Sequence, residues 1–419
     1  MDYINYIRYI VKQRGVHMKY FVVVLDGAAD YNIKEIGDST PLTVAKKPVL
    51  DSLAKRSIAG TVSNVPEGMV PESDTANLAI LSYDPKTYSK GRSPLEAVSM
   101  GIKMQPDEIA FRCNVVTVSE DEENYDDKIM LDHSADEITT EEATELIKSV
   151  QEAFGNSDRR FYPGVSYRHC LIWKNPPAYS EFMRPHDILG RKIAEYLPPE
   201  PFASLYRESY KILENHPINI KRRERGLRPA NSIWLWSPGA KPALPDFDEK
   251  WGIQGAVISA VDLIKGIGLC AGMESIDVEG ATGNVNTNYK GKAEAAINAF
   301  KDGKDFVFVH VEAPDECGHR AELENKIKSI ELIDKDIVKP VYEYLKSCGD
   351  DYKIMALPDH PTPICKRTHT MDPVPFMIFD SRKDYDGIDS LNEKAAKEKN
   401  FYLPCGYELL SYMVGDKQI

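Results

Sequence analysis

Three aspartates follow apolar runs that end alike: Asp26 after residues 20–25, Asp315 after residues 305–311, and Asp359 after residues 352–357. Histidines gather beside two of them, with His319 four residues after Asp315, His360 next to Asp359, and His369 soon after. Carboxylate oxygens and imidazole nitrogens together suit Mn²⁺, Zn²⁺ or Mg²⁺, and the histidines favour the first two. One such aspartate is as readily a helix cap or a surface partner. Asp-x-x-x-His and Asp-His, each beyond a strand-like run, form a more specific pattern than any member alone.

Ser73 supplies a hydroxyl. The segment Val70-Pro71-Glu72-Ser73-Asp74-Thr75-Ala76-Asn77 reads as an extended turn opening into a helix, with Ser73 at or near its N-cap. Capping is the commoner role for such a serine. A helix N-terminus also presents unpaired N–H groups and a positive dipole end, both favourable to phosphate. A metal at Asp26 could lower the hydroxyl pKa far enough to make a nucleophile.

The elements that must position these groups follow from periodicity. The three apolar runs are continuous and rich in β-branched residues, as buried parallel strands are. Helical patterns cover residues 44–55, 75–81 and 326–346, so strands and helices alternate and predict a parallel sheet flanked by helices. Ligands of such sheets bind beyond the carboxyl ends of the strands, where all three aspartates would then lie. The middle of the chain reads differently, with more Glu, Tyr, Trp and Pro and an acidic stretch at residues 120–127. Because the site residues flank this block, it is expected to be an inserted α+β domain, residues 105–285. The metal-binding core would comprise residues 18–104 and 286–419. Residues 1–17 would form an N-terminal extension, and Met18 is a candidate natural start.

A formal net charge of −13 argues against a nucleic-acid groove or a basic membrane face. No apolar run reaches the roughly 18 residues that a membrane span requires. The seven cysteines are scattered and contain no Cys-x-x-Cys pair, as expected of a reduced, cytoplasmic protein.

Asp26-Gly27, Pro-Glu-Ser73-Asp-Thr-Ala-Asn, Asp315-Glu-Cys-Gly-His319, Pro-Asp359-His360 and Thr-His369-Thr together resemble the 2,3-bisphosphoglycerate-independent phosphoglycerate mutases of the archaeal-type branch. Gly91-Arg-Ser-Pro-Leu-Glu-Ala, Gly-Ala-Thr-Gly283, Asn-Tyr-Lys-Gly-Lys292 and Ala-Asn-Ser-Ile-Trp-Leu-Trp236 add to the resemblance, which runs from Met18 to the C-terminus. It implies an α/β, alkaline-phosphatase-like core with an inserted domain that closes over it. It implies two divalent metals, Mn²⁺ first and Zn²⁺, Mg²⁺ or Co²⁺ as alternatives, with no bisphosphoglycerate cofactor. One metal would be held by Asp26, Ser73, Asp359 and His360, the other by Asp315, His319 and His369. Ser73 would take the phosphoryl group of 3-phosphoglycerate and return it to the 2-hydroxyl of the retained glycerate.

Retention calls for cationic clamps, and Arg112, Arg159, Arg168 and Lys292 are the candidates; arginine meets oxyanions bidentately. Three other activities fit the same metal motifs: a homoserine-kinase-like phosphotransferase, a phosphatase, and a metal-binding protein without catalysis. Trp234 and Trp236 read as core, and Lys221-Arg-Arg-Glu-Arg225 as a solvated face. His310 and Glu312 end a strand without an assigned role. Cys317, though between two candidate ligands, is not expected to bind metal.

Overall fold

Phe21 to Leu25 have no exposed surface at all, and this run forms a central strand of a mixed sheet. Burying side chains of this size contributes roughly 1.5–3 kcal/mol each, which is why the run reads as uninterrupted apolar sequence. The computed structural model describes residues 18–179 and 182–415, so the expected extension at residues 1–17 lies outside the described residues. The chain divides into a first unit that runs to Ser89 and resumes at Ala243, and a second spanning Lys90–Pro242.

Strands β1 (Met18–Leu25) and β2 (Ile58–Val62) precede the second unit, whose own strands are β3 (Glu108–Val118), β4 (Met130–Asp132), β5 (Arg159–Tyr162), β6 (Arg168–Lys174) and β7 (Ser232–Ala240). After it come β8 (Gly255–Ile258), β9 (Glu274–Ile276), β10 (Phe306–Val311), β11 (Asp351–Leu357), β12 (Val374–Asp380) and β13 (Tyr402–Leu403). The first unit's sheet has the order β13-β2-β12-β11-β1-β10-β8-β9. β1 lies parallel to both β10 and β11, whereas β12 runs antiparallel to its neighbours. The helices that serve the site are α1 (Ser73–Ile80), α2 (Tyr289–Lys301), α3 (Ala313–Arg320) and α4 (Leu323–Ile333). The long helix read over residues 326–346 is α4, a π turn at Asp334–Val338 and a further helix at Lys339–Cys348.

Register decides where the acids emerge. Leu25 pairs with Val311 and Val24 with Leu357, so three parallel strands end almost level. The residues that follow them therefore leave the sheet at one edge.

In the second unit, β3 pairs antiparallel with β4, β6 and β7, and a separate core forms around Phe111, Trp173, Phe202, Tyr206 and Trp234. The observed unit boundaries lie earlier than residues 105 and 285. β8 pairs parallel with β10 and belongs to the first unit's sheet. With only four residues, β8 is too short for its apolar run to stand out from the surrounding loops. Among the described residues, no helix is long and apolar enough to cross a membrane.

Candidate metal centre

The strand ends bring six of the seven expected ligands into a chain of close contacts that also joins Ser73. Asp315 Oδ2 lies 3.2 Å from His319 Nε2, and Asp315 Oδ1 lies 3.3 Å from His369 Nε2. The rings of His369 and His360 stack with centroids 3.9 Å apart. His360 Nε2 is 3.5 Å from Asp359 Oδ2, 3.7 Å from Asp26 Oδ1 and 3.2 Å from Ser73 Oγ. Among the described residues, two groups have ligand atoms close enough to share an ion: Asp315, His360 and His369, and Asp26, His310 and Asp359. His360 thus touches both sides of the centre. His310 is a participant that the sequence reading left without a role.

Local structure explains the convergence. Gly27 has φ +61°, and a Cβ there would come within 2.5 Å of Asp315 Oδ1 and Thr362 Oγ1, so only glycine lets the turn after β1 approach α3. The Gly27 N–H donates to Asp359 Oδ1 at 3.1 Å. Asn77, fully buried on α1, donates to the Ser73 carbonyl oxygen at 2.8 Å and to Asp359 Oδ2 at 2.9 Å, tying the serine's helix to the third aspartate. Thr362 Oγ1 donates to Asp315 Oδ1. Lys326 of α4, wholly buried, donates to Asp30 Oδ2 and to the Thr362 carbonyl oxygen, each at 2.8 Å, and so joins the loops after β1 and β11. The N-cap of α1 is Glu72, which makes Ser73 the first helical residue rather than the cap.

The electrostatics describe a pocket short of positive charge. Burial, then Asp359, Asp315 and Glu312, push the Asp26 carboxyl well above the usual carboxylate range. For Asp315, burial acts upward but the neighbouring His319 and His369 outweigh it, holding the acid well below that range. The hydrogen bond to Asp315 raises His319 to about 9.

His319 Nδ1 faces the Arg367 carbonyl oxygen at 3.0 Å and His369 Nδ1 faces the Pro71 carbonyl oxygen at 2.7 Å. A carbonyl can only accept, so each Nδ1 carries hydrogen and each neutral ring leaves a lone pair on Nε2. Those two Nε2 atoms are 2.9 Å apart. The proton that His319 keeps up to a pH of about 9 relieves that opposition in the metal-free site, and a cation bound by both lone pairs would relieve it in the proton's place. Among the described residues, Asp26 Oδ1 and His310 Nε2 have no hydrogen-bond partner though buried, which a cation would also satisfy. The residues present fit divalent metal.

The expected substrate contacts are placed differently. Lys292 is wholly buried on α2, with Nζ 2.8 Å from the His310 carbonyl oxygen. Its ammonium braces a site strand through that bond. In the second unit, Arg112 pairs with Glu96 through Nε and Nη2, and its guanidinium lies 4.4 Å over the Trp236 ring. Arg159 lies 5.0 Å over Trp173 and Arg168 5.4 Å over Tyr167. Trp234 and Trp236 are core, as read. The basic run at residues 221–225 is only partly solvated, since Arg222 is buried against Glu142 and the Ala135 carbonyl oxygen.

Comparison with known proteins gives an independent view. Residues 54–219 match the family model for 2,3-bisphosphoglycerate-independent phosphoglycerate mutase. The chain is 45% identical over 403 residues to the protein of that name from Methanosarcina mazei, covering 95% of this chain and 100% of the relative. It is 36% identical to mutase 1 of Archaeoglobus fulgidus, covering 94% and 97%. Among solved structures it is similar to the PH0037 protein of Pyrococcus horikoshii (TM-score 0.79, 28% identity, 96% of this chain and 99% of that one). It is also similar to the cofactor-independent phosphoglycerate mutase of Thermoplasma acidophilum (TM-score 0.65, 26% identity, 95% and 100%).

Proposed function

The chain belongs to the 2,3-bisphosphoglycerate-independent phosphoglycerate mutases, and we propose that Ser73 carries the phosphoryl group between the 3- and 2-oxygens of glycerate. The observation that supports this reading is the placement of Ser73 Oγ, 3.2 Å from His360 Nε2, where the acids and histidines converge. Asp26, Ser73, Asp359 and His360 would hold one divalent ion and Asp315, His319 and His369 a second. Mn²⁺ would come first, ahead of Zn²⁺, Mg²⁺ and Co²⁺. Such ions supply Lewis-acid stabilisation of phosphoryl oxygens and lower the pKa of a bound hydroxyl.

The chain's own groups do the rest. Ser73 begins α1, so the helix's free N–H groups favour the phosphate at that point. In the first half-reaction Ser73 Oγ gives up its proton and bonds to phosphorus as the bond from phosphorus to the 3-oxygen breaks, and the 3-oxygen takes up a proton. In the second, the 2-hydroxyl of the same glycerate loses its proton and attacks phosphorus, and Oγ leaves and regains a proton. Asn77 and Gly27 hold Asp359 still throughout. Arg159 and Arg168 are proposed to meet substrate oxyanions. Arg112, paired with Glu96 through Nε and Nη2, is proposed with them.

Purified protein incubated with Mn²⁺ and 3-phosphoglycerate, without bisphosphoglycerate, should yield 2-phosphoglycerate. Inorganic phosphate as the main product would mean that glycerate is not retained, and would contradict this scheme.

A further inference from the structure

His310 is the one polar side chain in β10, whose sequence is otherwise Phe-Val-Phe-Val and Val, and it has no exposed surface. Burying an imidazole costs free energy unless both nitrogens are satisfied. Nδ1 is satisfied, 3.3 Å from Ser259 Oγ, and Ser259 is itself fixed by the Val261 N–H at 3.0 Å. Nε2 is not. It lies 3.1 Å from Asp26 Oδ2 yet makes no hydrogen bond, and Asp26 Oδ1 beside it also lacks a partner. A nitrogen and a carboxylate held close but misaligned for hydrogen bonding are disposed as two ligands of one ion are.

The other three site histidines share this arrangement. Each turns Nδ1 outward to an oxygen: His319 to Arg367, His369 to Pro71, and His360 to Thr362 Oγ1 at 3.4 Å. Each turns Nε2 toward the acids. Metal-binding histidines characteristically donate their second ring N–H in this way. His310 obeys the same rule through Ser259. Its backbone is pinned as well, because its carbonyl oxygen accepts from buried Lys292.

We propose that His310 is a ligand of the ion held by Asp26 and Asp359, with Nε2 as donor atom and Nδ1–H donating to Ser259 Oγ. This rests on the two-ion reading above. It adds a second imidazole nitrogen to the ion assigned to Asp26, Ser73, Asp359 and His360.

Metal-free full-length protein titrated with Co²⁺, followed by equilibrium dialysis and visible absorption, tests it. Wild type should take up two Co²⁺ per chain; fewer than two would defeat the two-ion reading itself, whatever His310 does. His310→Asn keeps a group able to reach Ser259 but removes the Nε2 donor. His310→Gln keeps a hydrogen-bond donor near Asp26. Both should bind one of the two ions at least about tenfold more weakly and change the Co²⁺ d–d bands. Wild-type affinity and spectrum in His310→Gln would overturn the proposal and leave His310 a hydrogen-bonding brace. A measurement on wild type covers the case in which the variants do not fold. Proton NMR of the Co²⁺-loaded protein should show four paramagnetically shifted, exchangeable imidazole N–H resonances. Three would overturn the proposal.

Discussion

A serine hydroxyl is protonated at neutral pH, so Ser73 can attack phosphorus only where something draws its proton away. The ion that His360 would help to hold beside Ser73 Oγ is the agent available. Ser73→Ala should therefore lower turnover by about three orders of magnitude or more, while the ion held by Asp315, His319 and His369 stays bound. Retained activity in that variant would refute the phosphoserine route. Ligation also requires neutral imidazole, and His319 is raised to about 9 in the metal-free protein. Below that pH a proton must leave before the ion enters. Mn²⁺ affinity should accordingly fall as pH drops below about 9, by up to about tenfold per unit for each proton displaced. An isotherm that does not change with pH would exclude His319. Residue types and spacing were enough to single out Asp26, Ser73, Asp315, His319, Asp359, His360 and His369. His310 escaped because it lies within a strand rather than after one. The only signal was a polar residue inside an otherwise apolar run.

At the scale of elements, the centre depends on three strands ending level and on the few groups that fasten their loops. Gly27→Ala would force a non-glycine residue to φ +61° and press a Cβ against Asp315. The backbone cost alone is about 1–3 kcal/mol, and the lost approach should weaken metal binding as well. Urea unfolding together with a Mn²⁺ titration measures both; wild-type behaviour in both would show that the close approach is dispensable. Lys326→Met would leave the Asp30 carboxylate buried without its cation, at about 3–5 kcal/mol. A urea midpoint within error of wild type would contradict that role. β1, β10 and β11 were legible because their burial on both faces leaves an apolar run. β8 and β9 were not, since three or four residues carry no period. The tethers made by Asn77 and Lys326 join residues 282 and 296 positions apart in sequence, a distance that no local pattern spans.

For the whole molecule, the global charge of −13 and the local crowding of three buried aspartates act in the same direction, and divalent cations answer both. Chelation should abolish activity and lower the melting temperature. An ion present at a hundred times its dissociation constant stabilises the folded state by about 2.7 kcal/mol. Activity should return with Mn²⁺, and a chelated protein that still isomerises phosphoglycerate would exclude metal from the reaction. The most direct test of the central claim is to quench the enzyme in acid while it turns over 3-phosphoglycerate and to map phosphorylation by peptide mass. The account predicts a phosphoryl group on Ser73, absent when substrate is withheld. Steady isomerisation with Ser73 unmodified, or with the phosphoryl group on another residue, would contradict it.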